Sequence, residues 1–99
     1  MATVGEIDVS VLMEDDVCRV VVTGELDMAT SPVVHERLAE ASGRVFIDCS
    51  GLTFLDSSGI AEFLMLTKRV ESVTLVKPSQ IVQDVIEALG LGEVLRVAE

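Results

Sequence analysis

The chain has 99 residues, a net charge of −10 at pH 7 and a hydrophobic content of 49%. This length suits one domain with a modest core and is too short for two. The negative charge argues against binding nucleic acid or an anionic lipid surface, because both need clustered Lys and Arg. Trp and Tyr are absent, so the usual aromatic platforms for stacking bases are missing. No apolar run is long enough to cross a bilayer, and we expect a soluble globular protein that binds neither nucleic acid nor a membrane.

Two features bear on cellular location and redox state. Residues Met1 to Glu6 lack a basic region followed by an apolar stretch, so no signal peptide is predicted and a cytoplasmic location is expected. Cys18 and Cys49 are too few for a zinc site. Each shares strand parity with apolar neighbours, so we expect buried, reduced thiols without a bridge between them. No metal and no cofactor are expected.

The first half of the chain predicts three strands and a helix. Alternating or Val-rich apolar patterns indicate the strands, and an acidic turn at residues 14–16 indicates that the first two form a hairpin. Thr30-Ser31-Pro32 combines a hydroxyl cap with Pro at the first helical position, which predicts a helix running to about Ala41. The predicted strands are Ile7–Val11, Val17–Thr23 and Arg44–Cys49.

The second half predicts two helices, each followed by a strand. One helix runs to about Val70, with its core face formed by Ile60, Phe63, Leu64, Thr67 and Val70. Ser79 caps the next helix, which Gly90 ends, and the predicted strands are Val73–Val76 and Leu95–Val97. Right-handed crossovers make consecutive strands parallel. The order therefore predicts an α/β domain with a mixed sheet of four to five strands and helices packed on one face.

The link between the third strand and the second helix carries the strongest chemical signal. Asp56, Ser57, Ser58 and Gly59 surround a helix N-terminus, where unpaired N–H groups and the positive end of the macrodipole favour side-chain oxygens. On this local pattern alone, a simple helix cap is one interpretation. The other is that an exposed hydroxyl on a rigid scaffold accepts a phosphate, since two hydroxyls, an acid and a Gly exceed what one cap needs.

Two motifs in this chain resemble those of one protein family. The segment Phe54-Leu55-Asp56-Ser57-Ser58-Gly59-Ile60 is similar to the phosphorylation loop of the STAS-domain anti-sigma factor antagonists. Gly24-Glu25-Leu26-Asp27 closes the second strand and is similar to the family's second recurrent motif. The similarity extends from roughly Ile7 to Val97. It implies a single STAS domain over residues 1–99.

The resemblance also implies a function. A family member binds a serine-kinase anti-sigma factor, frees the sigma factor, and is released when the kinase phosphorylates it on the first Ser after the Asp, here Ser57. A serine phosphatase would remove the phosphate. The alternative is a STAS subunit that supports a membrane lipid transporter, or another partner-binding STAS module, without a switch. Catalysis by the chain itself is not expected, because no base is assigned to Ser57 and no Gly-x-Ser-x-Gly or phosphate-binding loop occurs.

A partner surface is predicted around Ser57. Both motifs leave the carboxyl ends of neighbouring strands, so they should meet at one rim of the sheet, where ligands of open α/β sheets bind. Asp27 either caps the following helix or contacts the partner, and Asp56 either caps its helix or orients the Ser57 hydroxyl. His35 has no assignable acid–base partner. The residues expected at the partner surface are Asp27, Asp56, Ser57, Ser58, Gly59, Ala61 and Met65.

Overall fold

The computed structural model describes residues 6–98. Met1 to Gly5, on which most of the signal-peptide prediction depends, and Glu99 lie outside the described residues. The elements follow the predicted order. They are strands β1 (Ile7–Glu14), β2 (Val17–Leu26), β3 (Arg44–Leu55), β4 (Ser72–Val76) and β5 (Arg96–Ala98), and helices α1 (Ser31–Leu38), α2 (Ser57–Thr67) and α3 (Gln80–Ala88).

The five strands form one mixed sheet in the order β1-β2-β3-β4-β5. β1 and β2 pair as an antiparallel hairpin, in which Val9 lies opposite Val22. The pairs β2–β3, β3–β4 and β4–β5 are all parallel. The predicted α/β class and mixed sheet are confirmed, and the last predicted segment is indeed a short fifth strand.

The core lies between one face of this sheet and the three helices. Helix residues that pack into it include Val34, Phe63 and Val82. The intervening strand residues, such as Arg19 and Thr74, point to the opposite face and remain at least partly exposed. The helices therefore cover one face only, as predicted. The buried strand residues are Val9, Cys18, Val20, Val22, Leu26, Val45, Ile47, Cys49, Leu52, Leu55, Val73 and Leu75.

Both cysteines are buried, which confirms that part of the prediction, and they are too far apart to form a bridge with each other. Val45 is the register partner of Cys18, and Cys49 follows Val45 by four residues, so the two are roughly 13 Å apart at ~3.3 Å per residue. A disulfide needs Cα atoms within about 7 Å. Burial raises the pKa of Cys49 to about 12, and burial likewise raises the pKa of Cys18.

The element boundaries differ from the predictions at several points. β2 and β3 run on to Leu26 and Leu55, beyond the predicted ends at Thr23 and Cys49. The two strands stay paired in parallel through two register shifts, one between Val21 and Thr23 and one between Gly24 and Glu25. These irregularities accommodate the residues that break the alternating apolar pattern. α1 ends at Leu38, three residues before the predicted end.

The buried face of α2 is also rotated relative to the prediction. Leu66 is buried, whereas Leu64 and Thr67 are only partly buried. The reason is that α2 packs against α1 as well as against the sheet. The Arg69 guanidinium, just after α2, donates to the carbonyl oxygens of Leu38 at 2.6 Å and Ala41 at 3.0 Å, which ties the two helices together.

Candidate functional site

The junction between β3 and α2 is a direct strand-to-helix turn. Asp56 alone separates Leu55, the last strand residue, from Ser57, the first helical residue. The Asp56 backbone is extended, and its carboxylate accepts hydrogen bonds from the N–H groups of Ser58 at 3.0 Å and Gly59 at 3.2 Å. Asp56 is therefore the N-cap of α2 and satisfies two donors that the helix itself leaves unpaired.

The hydroxyls of Ser57 and Ser58 have different surroundings. Ser58 is partly buried, and its Oγ donates a hydrogen bond to Asp56 Oδ1 at 2.6 Å. Ser57 is exposed, and among residues 6–98 its hydroxyl has no hydrogen-bond partner. The Asp56 carboxylate therefore orients the Ser58 hydroxyl rather than that of Ser57. Of the two adjacent hydroxyls, the one on Ser57 is the more exposed and has no bond to the Asp56 carboxylate.

The carboxylate of Asp56 is stabilised in its charged form. The hydrogen bond from the Ser58 hydroxyl is the largest cause that lowers the pKa of Asp56, and the N–H groups of Gly59 and Ser58 add to it against the effect of partial burial. Asp56 is therefore ionised at neutral pH. A phosphate on Ser57 would place a second negative charge on the adjacent residue.

Gly59 has a packing role. It is buried, and a Cβ atom there would lie 2.5 Å from Leu26 Cγ, 2.8 Å from Leu55 Cδ1 and 3.0 Å from the Leu26 carbonyl oxygen. Gly59 therefore does not lie on the exposed surface where we expected a partner to contact it. Its missing side chain lets the first turn of α2 rest on the ends of β2 and β3.

The Gly24-Glu25-Leu26-Asp27 motif begins at a position that requires glycine. Gly24 has φ +109°, and a Cβ atom there would lie 2.1 Å from the Glu6 carbonyl oxygen. The following N–H, that of Glu25, donates to the same oxygen at 2.8 Å. Leu26 then points into the core and is fully buried. The motif thus anchors the end of β2 before the chain turns.

Asp27 stabilises the turn that precedes α1. Its Oδ1 accepts hydrogen bonds from the N–H groups of Ala29 at 2.9 Å and Thr30 at 3.0 Å. The Thr30 hydroxyl accepts from the Asp27 N–H at 3.0 Å and donates to the Glu25 carbonyl oxygen at 2.6 Å. The Asp27 side chain therefore stabilises the turn just ahead of α1 and does not cap the helix itself, whose N-cap residue is Thr30.

The two motifs lie side by side at one rim of the sheet, as predicted. Leu26 and Leu55 are register partners, and the Asp56 N–H donates to the Leu26 carbonyl oxygen at 3.3 Å. Two exposed apolar residues on this rim were missed by the sequence analysis: Met28 is 78% exposed and Phe54 is 44% exposed. The only sequence signal for Met28 is a large apolar residue inside a turn of small and polar residues.

The rest of the predicted surface follows α2 toward α1. Ala61 is partly buried and Met65 is 48% exposed. Glu62 turns toward α1, where its carboxylate lies 2.8 Å from His35 Nδ1. His35 therefore does have an acidic partner, which the sequence could not indicate because it depends on how the helices pack. With Met65, the pair lines a groove of about 240 Å³ between α1 and α2.

Charges are distributed unevenly between the two ends of the sheet. At the end opposite Ser57, Arg44 lies within 3.6 Å of Asp16 and 3.9 Å of Glu71. At the Ser57 end, Glu6, Glu25, Asp27 and Asp56 form no ion pair with any residue between 6 and 98. The Ser57 rim therefore presents uncompensated negative charge.

No three His, Cys, Asp or Glu side chains between residues 6 and 98 are placed to hold a metal ion. None of the helices described here has the length and apolar character of a membrane span.

Comparison with known proteins gives matches at two levels. Residues 9–97 match the family model described as "Mlab, STAS domain". A crystal structure of an anti-sigma factor antagonist from Mycobacterium paratuberculosis has a TM-score of 0.81 and 24% identity, over 93% of this chain and 85% of that chain. No curated protein matches significantly.

SpoIIAA, another anti-sigma factor antagonist, matches in two states. Its unphosphorylated form has a TM-score of 0.75 and 21% identity, over 93% of this chain and 89% of that chain. The phosphorylated form, described as a Bacillus cell fate determinant, has a TM-score of 0.69 and 20% identity, over 93% of this chain and 92% of that chain. At these identities the structural matches establish the fold.

Proposed function

This chain belongs to the STAS domain family, and from that premise we propose that it is a cytoplasmic anti-sigma factor antagonist. It binds a serine-kinase anti-sigma factor while Ser57 is unmodified, and so frees the sigma factor. Phosphorylation of Ser57 by the same kinase releases it, and a serine phosphatase restores the binding form. The chain is a substrate and not an enzyme.

The observation that carries the proposal is the contrast between the two adjacent hydroxyls. Ser57 is exposed at the start of α2, whereas the Ser58 hydroxyl is already hydrogen bonded to Asp56 at 2.6 Å. A kinase therefore meets one free hydroxyl on a rigid strand-to-helix turn. SpoIIAA, which shares the fold, has been solved in both phosphorylated and unphosphorylated forms. The proposed contact surface consists of Asp27, Asp56, Ser57, Ser58, Ala61 and Met65.

The chemistry explains both modification and release. Ser57 Oγ attacks the γ-phosphorus of ATP held by the kinase, and the bond from that phosphorus to the bridging oxygen breaks. ADP leaves, and the hydroxyl proton passes to a base of the kinase. The transfer requires the Ser57 oxygen to come within about 3–3.5 Å of the nucleotide phosphate. The new phosphate then faces the remaining phosphates of ADP and the ionised Asp56, so repulsion and desolvation oppose a closed interface.

The test is phosphorylation by each serine-kinase anti-sigma factor of the source organism, with ATP and peptide mapping. We expect the phosphate on Ser57. Ser57→Ala should abolish the modification, whereas Ser58→Ala should retain it. Phosphate on Ser58 in a folded Ser57→Ala variant would contradict the assignment. Failure of every such kinase to modify the chain would contradict the switch.

The family description supplies the reason to keep a second candidate function. The matching model carries the name Mlab and not that of an anti-sigma factor antagonist. The second candidate is a STAS subunit that supports a membrane lipid transporter, or another partner, without a switch. Co-purification with a transporter ATPase, together with absence of a phosphorylated form in cells, would favour it over the switch.

A further inference from the structure

The turn between β2 and α1 presents a large apolar side chain that no packing requirement explains. Met28 is 78% exposed, more than any other large hydrophobic residue in the described part of the chain. The turn around it is fixed by bonds of the Asp27 carboxylate and the Thr30 hydroxyl, none of which involves the Met28 side chain. The fold therefore holds Met28 out in solvent from a rigid base.

Phe54 is a second exposed apolar residue at this end of the sheet, on the strand that neighbours β2. It precedes Asp56 by two residues, and Met28 follows Leu26 by two, while Asp56 and Leu26 are joined by the 3.3 Å hydrogen bond. Phe54 is 44% exposed, whereas Phe63 is fully buried. Both residues therefore belong to the end of the sheet that carries Ser57. Because Phe54 alternates with the buried Leu55, its side chain faces the open side of the sheet at this rim.

The charges around these two residues indicate the chemistry of their partner. Glu25 is the register partner of Phe54, Asp27 is adjacent to Met28, and neither forms an ion pair within residues 6–98. Carboxylates placed beside exposed apolar groups complement a surface with an apolar recess edged by Arg or Lys. A backbone already held in a fixed turn loses little freedom on binding, so the apolar side chains that it carries can make effective anchors.

From this geometry we propose that Met28 and Phe54 are docking anchors for the anti-sigma kinase, and that Met28 determines which kinase is bound. The kinase covers them with an apolar recess whose basic edge meets Glu25 and Asp27. This inference rests on the proposed function, because it assigns the partner of the Ser57 rim. Met28 lies outside the set of residues that the motif resemblance supplied, and it binds the kinase without touching the phosphate.

The test uses the kinase that phosphorylates Ser57, and measures KM and kcat for Met28→Ser and Phe54→Ser. We expect KM to rise roughly tenfold or more in each, while kcat changes little. The matched control is Met13→Ser, because Met13 is also exposed, at 40%, but lies on β1 at the opposite end of the sheet. Circular dichroism and thermal unfolding establish that each variant is folded. Because Met28 is highly exposed, Met28→Ser should fold normally, and it tests the proposal even if Phe54→Ser is unstable.

A second pair of variants tests the charge. Glu25→Gln should raise KM severalfold at low salt, and the difference should shrink at high salt. Glu87→Gln, on the exposed face of α3, is the control and should have no such effect. The proposal is overturned if Met28→Ser has the same KM as Met13→Ser with a kinase that does phosphorylate Ser57. If no kinase modifies Ser57, the proposed function itself fails, and the two failures are thus distinguishable.

Discussion

The carboxylate of Asp56 accepts three hydrogen bonds through one oxygen, Oδ1, at the point where β3 becomes α2. Two of the donors are backbone N–H groups, and the third is the Ser58 hydroxyl. This arrangement caps the helix and also occupies the hydroxyl beside Ser57. A single acidic side chain thereby engages the Ser58 hydroxyl and leaves that of Ser57, the proposed phosphate acceptor, without a partner among residues 6–98.

At the residue scale, we predict that Asp56→Ala lowers the free energy of unfolding by about 1 kcal/mol, through loss of the N-cap. Asp56→Asn tests the charge itself. The pKa of Asp56 is lowered in the folded state. The ionised carboxylate therefore adds to the free energy of unfolding above the ordinary carboxyl pKa of about 4, and this contribution is lost as the pH falls through the folded-state pKa.

The stability of the native chain relative to Asp56→Asn should therefore be greater at pH 7 than at pH 3, as measured by denaturant unfolding. The Ser58→Ala background provides the control, because the hydroxyl of Ser58 is the largest cause of the pKa shift. In that background the pH dependence should be smaller. A pH dependence that Ser58→Ala leaves unchanged would show that the hydroxyl does not stabilise the carboxylate.

At the element scale, the position of α2 depends on the absence of a side chain at residue 59. We predict that Gly59→Ala destabilises the fold by about 1–2 kcal/mol, because the new methyl overlaps Leu26 and Leu55. Helix propensity alone favours Ala by up to about 1 kcal/mol. A net loss of stability would therefore come from the steric overlap of the new methyl with its neighbours. Gly92→Ala is the control, since a Cβ there meets no atom within 4 Å. Equal stabilities of the two variants in urea would contradict this account.

The elements show what the sequence could and could not predict. Period-two apolar patterns and right-handed crossovers correctly predicted the parallel arrangement of consecutive strands and the covered face, because both depend on local alternation and chain chirality. The ends of β2 and β3 were missed because pairing through two register shifts is a property of both strands together. The burial of Leu66 and the His35–Glu62 contact depend on α1 packing against α2, which neither helix encodes alone.

The candidate site was predictable to the extent that it depends on local chemistry. The pattern Asp-Ser-Ser-Gly at a strand-to-helix join correctly predicted the cap and the shared rim. It did not indicate that Gly59 would be buried, because the contact with Leu26 comes from the neighbouring strand. The exposure of Met28 was also missed, since a turn can bury or expose an apolar residue depending on how it meets the helix that follows.

At the scale of the whole molecule, the important property is where charge lies and not how much there is. The chain carries −10 overall, but Asp16 and Glu71, at the end opposite Ser57, pair with Arg44, whereas the acids of the Ser57 rim form no ion pair within residues 6–98. Exposed pairs such as those of Arg44 contribute little stability. Their effect is to leave the unpaired negative charge on the Ser57 rim, where it complements the basic edge proposed for the kinase.

This separation leads to a prediction for two variants with the same total charge. Ser57→Asp and Ser42→Asp each add one negative charge, the first at the start of α2 and the second in the exposed connection before β3. Both should fold with free energies of unfolding within about 0.5 kcal/mol of the native chain, because an acid suits a helix N-terminus and a surface connection tolerates one.

Binding should separate the two variants. Ser57→Asp places its charge where the nucleotide phosphates of the kinase approach, and we expect its affinity for the anti-sigma kinase to fall roughly a hundredfold, about 3 kcal/mol. Ser42→Asp should bind within about twofold of the native chain, since its charge is screened over the length of the domain. Calorimetric titration of the kinase with ADP bound measures both. Equal losses for the two variants would mean that total charge and not its position controls release, and no loss for either would mean that charge at Ser57 is not the switch.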